Sequence, residues 1–251
     1  MIARDTFVIR TIQIGLVVAL FGAWFIGTRA DDTFRLFLPA PEAVWREMSA
    51  LIVTGRLWSA LYVTIVSIIQ AYAIAAGAGI AVGFLVARSR TLVQMFEPVL
   101  SGMFAVPLTM FFPLFILFFG IGTESKVAYG ATYAFFPIAL NTIAAFSNVD
   151  ENYLRASRAM GASQWQQFRY VYLPGALPVT LTGLRIGFFI CIASVLGGET
   201  LAATAGVGRS TALAAELMET ARLYAWIAFV VCMSVMLNLL ALAVETRSER
   251  E

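Results

Sequence analysis

The chain has 251 residues, 60% of them apolar and only 13% charged, where a soluble domain carries about 25% charged residues. A mean hydropathy of +0.83 is more apolar surface than a soluble core of this size can hide. The net charge of +2 gives no footprint for nucleic acid, and the absence of histidine excludes a Ser-His-Asp triad, a histidine-bearing metal site and a histidine proton shuttle.

The charges are segregated along the chain. Stretches free of Asp, Glu, Lys and Arg cover residues 11–28, 57–87, 99–123, 127–149, 175–198 (Arg185 excepted) and 223–244. A helix needs roughly 20 apolar residues to cross the hydrocarbon. The pattern therefore predicts an all-α polytopic membrane protein with about six transmembrane helices, as one domain over 1–251. The runs are continuously apolar rather than alternating, which argues against a membrane β-barrel.

The first run, 11–28, has the length of a retained helix. Thr28-Arg29-Ala30-Asp31 would be a poor signal-peptide cleavage site. A polar interlude follows, with an extended lead-in fixed by Pro39 and Pro41. Val44, Met48, Leu51 and Ile52 then fall at helical spacing, as in a helix along the membrane surface. Residues 57–87 would make a helix of roughly 46 Å, longer than the hydrocarbon is thick. Its Ala75, Gly79 and Gly83 recur every four residues, a stripe that lets a second helix approach closely.

The run 99–123 is interrupted by Pro107 and Pro113. Broken helices are tolerated in membranes where they meet other protein or a cavity, so this break, with Thr109 and Met110 inside it, is the first candidate for a solute path. Residues 127–149 contain Pro137 and Asn141. The last run carries Tyr224 and Trp226 at one end as interfacial anchors, and a charged tail, Glu245–Glu251, follows it.

Residues 148–174 are too polar to cross a membrane, yet they are patterned. Asp150 can cap a short helix with Tyr153, Ala156 and Met160 on one face. Gly161 stops it. Ser163 and Gln166 have capping-box spacing. Trp165, Phe168 and Tyr172 then share the apolar face of a second helix, which Leu173-Pro174 ends. Two short helices with large aromatics on one face suit a docking element whose aromatics fill a cleft on a partner.

This stretch resembles a known pattern. Arg155-Ala156-Ser157-Arg158-Ala159-Met160-Gly161, followed by Leu173-Pro174, is similar to the EAA loop of ABC-importer permeases, E-A-A-x-x-x-G and then L-P about a dozen residues on. Leu38-Pro39, Leu57-Trp58, Phe119-Gly120-Ile121-Gly122, Phe135-Phe136-Pro137, Thr182-Gly183-Leu184-Arg185 and Gly206-Val207-Gly208 extend the likeness to the nitrate, sulfonate and taurine branch, from about Leu38 onward. Two positions depart from the family pattern. Arg155 stands where the family has Glu, with Ser157 for its second Ala, and Phe104 stands where the family often has Arg.

The resemblance implies a permease subunit of a binding-protein-dependent importer in a bacterial inner membrane, with both termini cytoplasmic. Nine basic residues on that side against seven outside agree with this orientation. It implies a second permease copy, two cytoplasmic ATPase subunits and an extracytoplasmic binding protein as partners. It implies no catalysis and no cofactor on this chain, ATP and Mg being held by the ATPase. That division agrees with the sequence: the only lysine, Lys126, lies between Ser125 and Val127, which cannot make a P-loop. Glu151, Arg155, Ala156, Ser157, Gly161, Trp165, Phe168, Leu173 and Pro174 would be the residues coupled to the ATPase. Either the ATPase offers Arg155 an acid, or Glu151, one turn earlier, makes the contact. The solute would be small and anionic.

Phe104, Pro107, Thr109, Met110, Pro113, Asn141, Arg185 and Glu199 are the candidates for its path. An ionisable residue within a span is a functional candidate, but Arg185 could instead snorkel or pair with a carboxylate near the interface. Glu199 could contact solute, pair with Arg209, or cap the segment that follows. The rival reading is a stand-alone secondary transporter, which needs inverted repeats and coupling-ion ligands. Neither is visible. Cys191 and Cys232 make no disulfide framework and read as small buried hydrophobes.

Overall fold

The computed structural model describes residues 2–30 and 37–248. Asp31 of the cleavage test and the last three residues of the charged tail lie outside the described residues. The described chain is helical, in chain order α1 (Ile2–Ala30), α2 (Pro41–Val53), α3 (Arg56–Ala87), α4 (Arg90–Ala105), a 3-10 turn (Leu108–Phe111), α5 (Phe112–Phe119), α6 (Thr123–Ser147), α7 (Glu151–Ala159), α8 (Gln164–Gln167), a π turn (Phe168–Tyr172), α9 (Leu173–Leu201), α10 (Val207–Glu216) and α11 (Thr220–Ser248).

Among the described residues four helical stretches are long and apolar enough to cross a membrane: Arg56–Ala87, Thr123–Ser147, Gln164–Leu201 and Thr220–Leu239. A fifth is formed if α4 and the segment Leu108–Phe119, bent by 77° to each other, count as one broken span. The expected run 11–28 does lie within a helix, but the apolar part of α1, Val18–Arg29, is short.

Several expected boundaries move for physical reasons. The run 99–123 is not one rod: α4 begins at Arg90, carries Glu97 and stops at Ala105. Pro107 forces Val106 into an extended conformation, φ −71° and ψ 131°. The span expected at 127–149 begins at Thr123, because Lys126 folds into the protein rather than ending the helix. The span expected at 175–198 runs without interruption from Gln164 to Leu201. Trp226 is buried, not an exposed anchor, and Cys232 is exposed while Cys191 is buried.

The chain divides into two compact units. The first comprises 1–59 and 210–232. In it Pro41 opens α2 from an extended Ala40, as the two prolines require, and Val44 and Leu51 point inward. The Trp24 indole donates to the Pro39 carbonyl at 3.0 Å and its ring stacks on Tyr224. Arg222 bridges Glu47, at 3.0 Å, and Glu219.

The second unit comprises 60–209 and 233–251. Its core is built from Ile68, Ala71 and Ala75 of α3, Ala131, Ala134 and Ile138 of α6, and Cys191, Ile192 and Val195 of α9. Without water to drive helices together, membrane helices rely on close backbone approach, and the small-residue stripe provides it. A Cβ on Gly79 would lie 2.7 Å from Ile138 and one on Gly83 2.6 Å from Thr142. Gly187 of α9 receives Ile138 from the other side. Buried hydroxyls are satisfied locally: Ser67, Thr142 and Thr180 each donate to the carbonyl four residues back.

Candidate coupling loop and translocation path

The loop between α6 and α9 is closed by its own caps and hydrogen bonds. The Asn152 N–H donates to the Asp150 carboxylate at 2.8 Å, capping α7. Tyr153, Ala156 and Met160, expected to share a face, are all exposed, while α7 turns Leu154 and Ser157 toward the protein. Leu154 and Ser157 are three apart, and the Ser157 hydroxyl donates to the Leu154 carbonyl at 2.8 Å. Gly161 ends the helix at φ +80°, and the Ala162 N–H returns to the Ser157 carbonyl at 3.0 Å. Ser163 and Gln166 form a full capping box, with bonds of 3.3 and 2.8 Å.

From α8 the chain does not stop at Leu173-Pro174, as the sequence suggests, but widens into the π turn and continues as α9. A proline in a helix lacks its N–H and its ring clashes with the carbonyl four residues back. The wider turn immediately before Pro174 accommodates both defects. Leu173 and Pro174 are thus the first residues of a span rather than a terminator.

Trp165 projects from this element with 68% of its surface exposed. Its ring stacks on Phe168 at 5.8 Å. Phe168 in turn meets Phe84 of α3 edge-on at 5.7 Å, so the ledge is anchored to a membrane span. Beside it opens a groove of about 1130 Å³ whose lining includes Arg88, Glu97, Glu151, Arg158, Phe168 and Tyr172. Arg155 and Glu151 pair with each other at 2.9 Å on the exposed side of α7.

The path candidates are scattered. Pro107, Thr109, Met110 and Pro113 all lie exposed at the break after α4. Phe104 turns inward and packs near Tyr133 and Phe136. The Asn141 amide donates to the Pro137 carbonyl at 2.8 Å, and its side chain leaves no room for a Cβ on Gly183. Arg185 is half-buried on α9. Glu199 lies fourteen residues further along the same helix, roughly 21 Å away, so the two charges do not share a site. Glu199 accepts from the Gly208 N–H at 2.8 Å, which caps the start of α10. Lys126 and Thr64, which the reading of the sequence passed over, are fully buried beside it. A buried lysine leaves one signal in sequence, a single Lys in a chain that otherwise uses Arg.

Residues 79–251 match the family model for the binding-protein-dependent transport system inner membrane component. The chain belongs to this family. It is 31% identical to the taurine transport system permease protein of Escherichia coli K12, over 94% of this chain and 88% of that protein. It is 30% identical to the riboflavin transport system permease protein of Chloroflexus aurantiacus, over 87% and 81% of the two chains. It is 30% identical to the putative aliphatic sulfonates transport permease protein of Bacillus subtilis, over 76% and 69%. Its fold resembles that of a chain in the MetNI methionine ABC transporter, solved in inward-facing conformations, with a TM-score of 0.60 at 24% identity over 81% of this chain and 96% of that one. This permease is therefore an inner-membrane transport component of an ABC importer, and the stand-alone secondary transporter is set aside.

Proposed function

We propose that this permease couples to a cytoplasmic ATPase through the α7–α8 loop. A second copy completes the passage, a pair of ATPase subunits holds ATP and Mg, and an extracytoplasmic binding protein delivers the solute. The observation that carries the reading is the Trp165–Phe168 ledge. It presents the exposed Trp165 ring stacked on Phe168, capped at its start by the Ser163–Gln166 box, anchored on Phe84 and continuous with α9. An aromatic pair held rigidly in the open suits a partner's cleft, and a push on it would travel along a single helix. On this reading the loop faces the cytoplasm, and so do both termini.

The solute proposed is a small organic anion of the sulfonate kind, by analogy with the taurine and sulfonate relatives. The test of coupling is Trp165→Ala in the reconstituted importer. Transport is expected to fall at least roughly tenfold, the usual consequence of truncating a buried aromatic anchor, while the protein stays in the membrane. Full transport by Trp165→Ala would remove the ledge from the coupling interface.

A further inference from the structure

Lys126 takes no part in the coupling loop. It sits near the start of α6, 3% exposed, and its ammonium donates to the carbonyls of Ile121 and Gly122, each at 2.5 Å. Glu199 of α9, 2% exposed, lies across a void of about 20 Å³ that both side chains line together with Ser67 and Thr123. The ammonium is in electrostatic reach of Glu199 and of Glu124. The Thr64 hydroxyl of α3 lies 2.9 Å from both Glu199 oxygens and accepts from the Val207 N–H of α10 at 2.9 Å. The Gly208 N–H completes the set. Hydrogen bonds thus tie α3, α9 and α10 together, and Lys126 of α6 faces them across the void.

The backbone is shaped around the cluster. Gly206 stands at φ +110°, and a Cβ there would strike the Glu199 carboxylate. A Cβ on Gly198 would lie 3.2 Å from the Lys126 side chain and 3.1 Å from the Phe112 ring.

Its place along α9 gives the cluster a role. Glu199 is twenty-six residues beyond Leu173 on an uninterrupted helix, roughly 39 Å at the α-helical rise and more than the hydrocarbon thickness. The cluster and the coupling loop therefore lie at opposite membrane faces, joined by one rod. We propose that the Lys126–Glu199 cluster is a clasp that holds the outer end of the permease shut and releases when the coupling loop moves. This rests on the importer reading. Its members come from different helices, so parting α3 from α9 and α10 breaks the Thr64 bonds to the Glu199 carboxyl and to the Val207 N–H together. Leaving those buried polar groups without partners is costly, which makes the clasp closed or open rather than graded.

The test uses Ser67→Cys, a buried position lining the void, in a Cys232→Ser background. A membrane-impermeant thiol reagent is added from the outer side of the reconstituted importer. Glu199→Gln, which weakens the bonds from Thr64 and Gly208, and Lys126→Met, which removes the ammonium in electrostatic reach of that carboxyl, are each expected to raise the labelling rate by roughly tenfold or more. Both should also raise ATP hydrolysis without binding protein. With the clasp intact, trapping the nucleotide-bound state with vanadate should raise labelling as well, a readout that needs neither charge variant to fold. A purely structural cluster predicts poor assembly and no gain in outer labelling. Unchanged slow labelling in both states and in every variant that assembles would overturn the clasp. If no ATPase accompanies the purified protein, the importer reading fails alone, and labelling of Glu199→Gln still decides the clasp.

Discussion

Single residues set where this permease can tolerate change. Gly83 faces Thr142 and the Ala139 carbonyl so closely that a Cβ would lie 2.6 and 2.7 Å from them. The backbone carbonyl cannot swing aside, so α3 and α6 must part. Gly83→Ala should cost about 1–3 kcal/mol, as overpacking does, and lower the unfolding temperature of the purified protein; an unchanged temperature would contradict the packing account. Gly161 is a different case, with open space around it but φ +80°. Gly161→Ala should cost about 1–2 kcal/mol through the left-handed backbone alone, while Gly161→Pro, whose ring requires φ near −65°, should abolish transport without removing the protein from the membrane. Arg185 is a half-buried cation in the middle of the α9 span, and two copies in a permease pair would bring two such charges together. Arg185→Gln should weaken uptake of an anionic solute several-fold more than it weakens basal ATP hydrolysis, since an unpaired charge in a low-dielectric passage is costly. Equal loss of both activities would mark Arg185 as a structural tether.

At the scale of elements, the sequence carried the caps and the packing stripe well, because these depend on local spacing. Asp150, Gly161, the Ser163–Gln166 box and the Ala75-Gly79-Gly83 stripe each act within a turn or two of themselves. The span boundaries were less legible. Counting charges treats Lys126 as an end, although its ammonium is satisfied by two carbonyls inside the protein. Reading Pro174 as a terminator misses that a π turn can absorb it. The path was least legible, since its candidates come from several helices that no local spacing relates. The Pro174 elbow is itself testable. Pro174→Ala restores the missing N–H and lets the π turn close to an α turn, which would rotate Trp165 about the α9 axis by roughly 100°, one residue's worth of helix. ATP hydrolysis should then continue while uptake falls. Normal uptake by Pro174→Ala would show that the elbow's geometry is immaterial.

For the molecule as a whole, the account places one uninterrupted helix between an exposed aromatic ledge and a buried charge cluster. In the proposed scheme the ledge receives the ATPase and the cluster closes the far end. That scheme stands on Trp165, which is exposed in the isolated chain and must become covered in the working importer. The direct measurement is labelling of Trp165→Cys, in a Cys232→Ser background, by a membrane-impermeant maleimide in inside-out vesicles, with and without the ATPase subunits. The account expects rapid labelling of the permease alone and at least roughly tenfold protection when the ATPase is bound, in keeping with burial of an interface anchor. Equal, rapid labelling in the assembled, ATP-hydrolysing complex would contradict it.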